Sequence, residues 1–319
     1  MYRIGIDLGG TNIAAGLVNE EYKIIAKASV PTDADRGAEA IVDDIAALCK
    51  RICEENGIAI SDVDAIGIAS PGAIDSAAGV VKYANNLPFR MLPICEMVAE
   101  RTGISDVRVE NDANAAAWGE AVAGAAKGTK NSVMITLGTG VGGGIVIDGK
   151  LFGGFNGIAG ELGHIVIEYD GKPCSCGRRG CWEAYSSATG LINMTKEKLA
   201  ECERTGRKTL MTELVAKKGK VSGVTAFDAM RQGDEAGKEV VDMYLGYLSC
   251  GLTNMVNIFQ PEVISIGGGV SNEGQSLVDA VLPTIRKEQY GGNLPPLTDI
   301  RIATLKNDAG IIGAALLSI

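Results

Sequence analysis

The chain reads as an α/β protein built of two related lobes, and three observations lead there. Strand-like and helix-like stretches alternate along all 319 residues. One shape occurs twice: IGIDLGGTNIAAGLV at 4–18 returns as VMITLGTGVGGGIVI at 133–147, each a strand, a glycine turn and a second strand. The length also exceeds what one hydrophobic core usually serves.

The elements follow in order. Residues 2–8 alternate and are β-rich, GG at 9–10 makes a turn, and 12–19 form the second strand. From Ala38 the apolar residues at 38, 41, 42, 45, 48, 49 and 52 make a helical stripe. DAIGIAS (64–70) is a buried strand stopped by Pro71-Gly72. RVEND (108–112) ends a strand, and ANAAAWGEAVAGA (113–125) is rich in strong helix formers. After the repeated hairpin, a helix spans 234–259 with apolar residues at 241, 244, 245, 248, 252, 255, 256 and 259, a face that serves either the core or a subunit surface. Then come the strand EVISIG (262–267), the turn GGGVS (267–271), another helix, the strand IRIATL (300–305) and a final helix, AGIIGAALLSI (309–319).

Composition narrows the function. The net charge of −9 argues against nucleic acid as a partner, because binding that polymer requires Lys and Arg to neutralise phosphates. A phosphate held by backbone N–H groups is still compatible. No apolar run reaches transmembrane length and MYRIGIDLGG is not a signal peptide, so the expectation is a cytoplasmic protein without a membrane partner. Eight cysteines in that compartment are thiols rather than disulfides. Cys49, Cys53 and Cys250 fall on apolar helical stretches and read as small core residues.

Glycine, 43 residues, is about twice its usual share. The loops DLGGTN (7–12) and LGTGVGGG (137–144) would let backbone N–H groups approach phosphate oxygens, with Thr11 and Thr139 adding hydroxyls and Asp7 holding Mg²⁺ through water. Singly, each reads first as an ordinary hairpin turn; as a pair in the two halves they favour a nucleotide. Residues 138–143 match G-x-G-x-x-G in form only, because a dinucleotide fingerprint opens a helix and this segment continues as a strand. No P-loop pattern is present. GGGVS suits an adenosine or phosphate contact, or is a plain strand-to-helix loop.

The polar candidates are Glu110, Asn111 and Asp112 at a strand-to-helix junction. A carboxylate there can take the proton of a substrate hydroxyl during phosphoryl transfer, and Asn or Asp there is as readily a helix N-cap. Asn86 offers hydrogen bonds to sugar hydroxyls or fills a turn. His164, the one histidine, is separated by nine residues from Cys174, and the pattern H-x9-C-x-C-x4-C supplies one imidazole and three thiolates for a tetrahedral Zn²⁺. The alternatives are incidental cysteines with a core histidine, or a redox pair, although C-x-C lacks the usual redox spacing. Arg178 and Arg179 would offset the negative charge of such a centre, and Glu161 and Glu183 flank it.

Together DLGGTN, END (110–112), LGTGVGGG, GELGH (160–164), CSCGRRGCWE (174–183) and IGGGVS (266–271) resemble the ROK family of repressors and sugar kinases, and within it the bacterial glucokinases, over nearly the whole chain. The resemblance implies an actin-like (ribonuclease H-like) two-lobed ATPase fold with its active site in the cleft. The expected lobes are 1–115 plus 305–319, small, and 116–304, large, with the zinc loop and the subunit surface. It implies ATP, Mg²⁺ and a hexose, glucose foremost, phosphorylated at the 6-hydroxyl. Asp112 falls on the family's catalytic base, and Asn86, Asn111, Asp112, Glu161, His164 and Glu183 on its sugar contacts. Asp7, Gly9, Gly10, Thr11, Asn12, Gly138, Thr139, Gly140, Gly268 and Gly269 are the nucleotide-site expectations. His164, Cys174, Cys176 and Cys181 fall on its ligands for a structural Zn²⁺, with His164 giving one ring nitrogen to the metal and turning the other to the sugar. A homodimer or homotetramer is expected.

Phe89 departs from the tryptophan many members carry, and is expected to pack the cleft wall. Other acceptors (mannose, fructose, allose, N-acetylmannosamine or N-acetylglucosamine) remain alternatives. So does a sugar-binding regulator, although the first strand begins at Tyr2, with no helix-turn-helix ahead of it, and the chain is acidic.

Overall fold

The computed structural model describes all 319 residues. They divide into two compact units: Met1–Met134 with Gly144–Gly160 and Ala303–Ile319, and Ile135–Gly143 with Glu161–Ile302.

The first unit begins with the antiparallel strands β1 (Tyr2–Leu8), β2 (Asn12–Val18) and β3 (Ile24–Pro31), followed by helix α1 (Ala38–Glu54). Then come β4 (Val63–Ser70), the short β5 (Ala73–Asp75), β6 (Val80–Tyr83) and β7 (Arg90–Leu92), α2 (Ile94–Thr102), β8 (Val107–Asn111) and α3 (Asp112–Val122). A five-stranded sheet runs β3-β2-β1-β4-β8, with β1 parallel to β4 and β4 parallel to β8; β5, β6 and β7 form a small sheet of their own. The stripe of α1 buries Ile41, Val42, Ile45, Leu48, Cys49 and Ile52 in the same core as Ile4, Ile6, Ile13 and Leu17. Phe89, expected on an open wall, is instead 0% exposed and belongs to that core: it stands just ahead of β7 with its ring among apolar neighbours.

The repeated hairpin appears as β9 (Ser132–Leu137) and β10 (Val141–Ile147), followed by β11 (Lys150–Leu151). Helices α4 (Glu183–Ser186), α5 (Ala188–Thr205), α6 (Leu210–Lys218), α7 (Thr225–Arg231) and α8 (Glu235–Phe259) lead to β12 (Val263–Gly267), α9 (Gln275–Glu288), β13 (Asp299–Ile302) and α10 (Ala309–Ala315). The second sheet runs β11-β10-β9-β12-β13, so β9 and β10 hold the places that β1 and β2 hold in the first. In α8 the inward residues include Val241, Tyr244, Leu248, Leu252 and Met255, while Cys250, expected in the core, is only half-buried. No helix is long and apolar enough to cross a membrane.

Helix α10 covers the other face of the first sheet at backbone distance. Gly5 and Gly67 stand side by side in register on β1 and β4. A methyl group on Gly5 would overlap the carbonyl oxygen of Ile311, and one on Gly67 that of Ala314. On the opposite side of α10, a methyl on Gly313 would overlap the carbonyl of Ala115 in α3. The helix stops at Ala315, short of the 319 expected, where Trp118 Nε1 donates to the Leu316 carbonyl at 2.8 Å. The strand expected to reach 305 likewise stops at Ile302. The next residues turn to Glu120 of α3, which is 0% exposed: its Oε2 accepts from the N–H of Ala125 (2.6 Å) and Thr304 (3.1 Å), and its Oε1 from the N–H of Leu305 (2.7 Å).

Candidate active site

In the first unit the turn between β1 and β2 is closed by Gly9 N–H donating to the Asn12 carbonyl at 2.9 Å. Buried Thr32 fastens it from behind, its hydroxyl donating to the Gly9 carbonyl at 2.7 Å and its N–H to the Thr11 carbonyl at 2.9 Å. Gly10, Thr11 and Asn12 face solvent. Asn86 is also exposed and lies against Gly10, where an added Cβ would stand 3.2 Å from the Asn86 Cβ.

The END segment spans the end of β8 and the start of α3. Asn111 is the N-cap, its Oδ1 accepting from the N–H of Ala113 (3.0 Å) and Asn114 (3.3 Å). That use engages the amide oxygen, so a ligand would meet the amide NH₂, which donates to the Gly72 carbonyl at 3.3 Å and also reaches the Asp112 carboxylate. Glu110 is buried behind it, accepting from Ser76 Oγ (2.7 Å), Asn114 Nδ2 (3.1 Å) and the Asn111 N–H (2.9 Å). Asp112 opens the helix with one edge exposed, its Oδ1 taking the Ala113 N–H at 2.8 Å. Protein packed behind the carboxylate raises its pKa by desolvation, which outweighs the hydrogen bonds from Ala113 and Asn111. Asp7 is raised as well, first by burial and then by the nearby charge of Asp112. A pair of carboxylates so placed favours a cation or a shared proton near Asp7.

In the second unit the hairpin from β9 to β10 turns at Gly138 N–H to the Gly140 carbonyl, 3.0 Å. Thr189 Oγ1 holds the Thr139 carbonyl at 2.7 Å, and the Ala188 N–H holds that of Gly138 at 2.8 Å. Gly268 packs against the backbone of Leu137, which brings the second glycine turn beside the hairpin. A 3₁₀ turn, Gly269–Glu273, separates it from α9, so this turn does not feed directly into a helix N-terminus. Gly138 and Gly269 have open space where a Cβ would sit, and neither has a positive φ. Packing and backbone conformation therefore demand glycine at neither position, and both stay open to the close approach of a ligand. A cavity of about 720 Å³ adjoins the hairpin, lined among others by Thr139, Gly140, Cys174, Glu183, Thr189 and Asn193.

Downstream, the loop folds back through bridges of Val166 with Cys181 and Pro173 with Arg179. His164 Nδ1 lies 3.6 Å from Cys174 Sγ, and Cys176 Sγ lies 3.7 Å from Cys181 Sγ. All four donor atoms fall within 4.8 Å of one another. Ligands about 2.1–2.3 Å from a tetrahedral ion stand about 3.5–3.8 Å apart, so the set fits such an ion. The Cys176 thiol is held low, chiefly by the Arg178 N–H, while burial and the neighbouring thiols push Cys181 up to about 12. Arg178 donates to the His164 carbonyl at 3.2 Å, and Arg179 pairs with Asp170 at 2.8 Å. His164 Nε2 turns from the thiols toward Glu161 Oε2, 3.9 Å away, and Glu161 is exposed. Buried Trp182, wedged against Gly251 with its N–H on the Tyr247 carbonyl at 3.1 Å, fixes the chain just before Glu183.

Sequence reasoning missed Ser175, whose hydroxyl donates to Glu183 Oε1 at 3.1 Å, and Thr189, whose place at the start of α5 was the available signal.

The ROK family profile matches residues 3–319. A glucokinase of Streptomyces coelicolor is 38% identical over 312 residues, covering 98% of this chain and 96% of the relative. A glucokinase of Halalkalibacterium halodurans is 39% identical over 319 aligned positions, covering 98% and 94%. Among solved structures, a ROK family glucokinase from Streptomyces griseus in complex with glucose and AMPPNP superposes with a TM-score of 0.79 at 38% identity, covering 99% of this chain and 98% of that one.

Proposed function

Because the chain belongs to the ROK family, we propose that it is an ATP-dependent glucokinase that transfers a phosphoryl group to the 6-hydroxyl of glucose, with Asp112 as general base. Its fold, two five-stranded sheets of matching strand order, is the actin-like ATPase fold of that family. The observation that carries the reading is the full-length similarity to glucokinases, one of them solved with glucose and a nucleotide analogue. The exposed carboxylate of Asp112 at the start of α3 supports it.

Asp112 accepts the proton as O6 attacks the γ-phosphorus; the new O–P bond forms, the bond to the β–γ bridging oxygen breaks, and ADP leaves. Glu110 and the Asn111 cap keep the base at a fixed place on the helix. Asn86, the Asn111 amide NH₂, Glu161, His164 Nε2 and Glu183 take the sugar hydroxyls. Gly9, Gly10, Thr11, Asn12, Gly138, Thr139, Gly140, Gly268 and Gly269 receive the nucleotide. Asp7 would hold Mg²⁺, which offsets charge on the phosphates when bound. His164, Cys174, Cys176 and Cys181 would hold a structural Zn²⁺, whose ligation fixes the imidazole tautomer and ring plane. Assembly as a homodimer or homotetramer and a cytoplasmic location complete the reading.

The test is coupled ADP release over a hexose panel. Glucose should give the highest kcat/KM, and Asp112→Asn should abolish turnover while glucose still binds. No sugar-dependent ADP release would overturn the kinase reading; a faster N-acetylhexosamine or mannose would move the acceptor.

A further inference from the structure

Glu183 carries a second task. Its carboxylate is only half-buried, yet both oxygens are engaged within the second unit. Oε2 accepts the Val141 N–H at 3.1 Å, and a methyl group on Gly140 would overlap that same oxygen. Oε1 accepts the Ser175 hydroxyl at 3.1 Å and lies 3.6 Å from Cys174 Sγ. The backbone beneath it is pinned by Trp182, whose indole is wedged against Gly251. The side chain thus runs from the cysteine loop to the glycine hairpin and fastens the hairpin at the residue after Gly140.

We propose that Glu183 is a positioning residue for the nucleotide: it sets the phosphate-binding form of the 138–141 hairpin, in addition to meeting the sugar. The proposal rests on the reading that this hairpin binds phosphates. The physical case is direct. Gly138 faces open space and Gly140 meets only the Glu183 carboxylate; Ala188 and Thr189 hold the carbonyls of 138 and 139, but neither holds the peptide that follows Gly140. A charge-assisted bond to Val141 supplies the restraint, and a side chain at 140 would displace it. The absence of a Cβ at Gly140 has its cause here, whereas at Gly138 it has its cause in ligand approach.

The experiment measures AMPPNP affinity by calorimetry with Mg²⁺ and without sugar. A purely sugar-binding Glu183 would leave that affinity unchanged on substitution. Glu183→Ala is expected to raise the AMPPNP Kd about tenfold, as loss of a charged hydrogen bond does. Glu183→Gln keeps an acceptor for Val141 and should restore Kd to within about threefold of the parent, while glucose KM stays elevated. Ser175→Ala, which removes one anchor of the carboxylate, should raise Kd about twofold to threefold. Gly138→Val adds bulk in open space and serves as the hairpin control. If Gly138→Val weakens AMPPNP but Glu183→Ala does not, the positioning role is refuted. If Gly138→Val has no effect either, the hairpin is not the phosphate site, and the proposal falls with that reading.

Discussion

Replacing Glu120 by glutamine changes one atom in the most heavily used carboxylate of the first unit. The side chain is 0% exposed and serves three backbone N–H groups and the Thr304 hydroxyl (3.3 Å to Oε2). An amide must aim its NH₂ at one side. Placed at Oε2 it opposes both Ala125 and Thr304; placed at Oε1 it opposes only Leu305, so the second orientation wins. One buried N–H is then unpaired, at about 1–3 kcal/mol, and the remaining bonds lose their charge assistance. The sum is about 2–4 kcal/mol for Glu120→Gln, and more for Glu120→Ala, which removes both acceptor oxygens. Urea unfolding followed by circular dichroism reads the loss as a lower midpoint at unchanged slope. Folded Glu120→Gln protein should keep its kcat, because the substituted end of α3 is two turns from Asp112. A Glu120→Gln midpoint within about 0.5 kcal/mol of the parent would refute the reasoning, since only a carboxylate without those donors could be exchanged so cheaply.

Other outcomes follow from the same structure. With Asp112 as the proposed base, its raised pKa places the acid limb of the kcat/KM profile above the ordinary Asp value, because a base works only once deprotonated. Folding shows the matching sign: a raised carboxyl pKa favours the folded state below the ordinary Asp value, and that advantage is lost as pH rises through the raised one. A pH–rate profile with its acid limb at the ordinary value would contradict both statements. Gly67→Ala puts a methyl group into the Ala314 carbonyl and should cost at least about 3 kcal/mol or prevent folding, whereas Gly269→Ala, facing open space, should leave the melting temperature unchanged. Elemental analysis should find one zinc per chain, and Cys176→Ser should weaken its retention against a chelator about a hundredfold, one ligand's share of about 10 kcal/mol or more.

What the sequence disclosed was what repeats or clusters locally. The α1 stripe, the two glycine hairpins and the His–Cys spacing all lie within short windows, and each stands in the structure where expected. The small strands β5–β7 and the helices α5–α7 carried no such pattern; α5, for instance, buries only Gly190, Leu191, Met194, Thr195 and Cys202 along its 18 residues. The pairs that fix the site are remote in the chain. Glu183 meets Val141 across 42 positions and Glu120 meets Thr304 across 184, and no periodicity reports such a meeting. Gly5 and Gly67 look like ordinary strand glycines until the helix at 309–315 is laid across them.

That helix has a bearing on how the first unit assembles. The floor of β1 and β4 is bare backbone at Gly5 and Gly67, shaped for one cover, and that cover lies far along the chain from both strands. Until 309–315 docks, the furrow at Gly5 and Gly67 stays wet and α3 lacks the neighbour that backs it at Gly313. The place of α3, and of the carboxylate proposed as the base at its start, therefore rests on a segment remote from it in the chain.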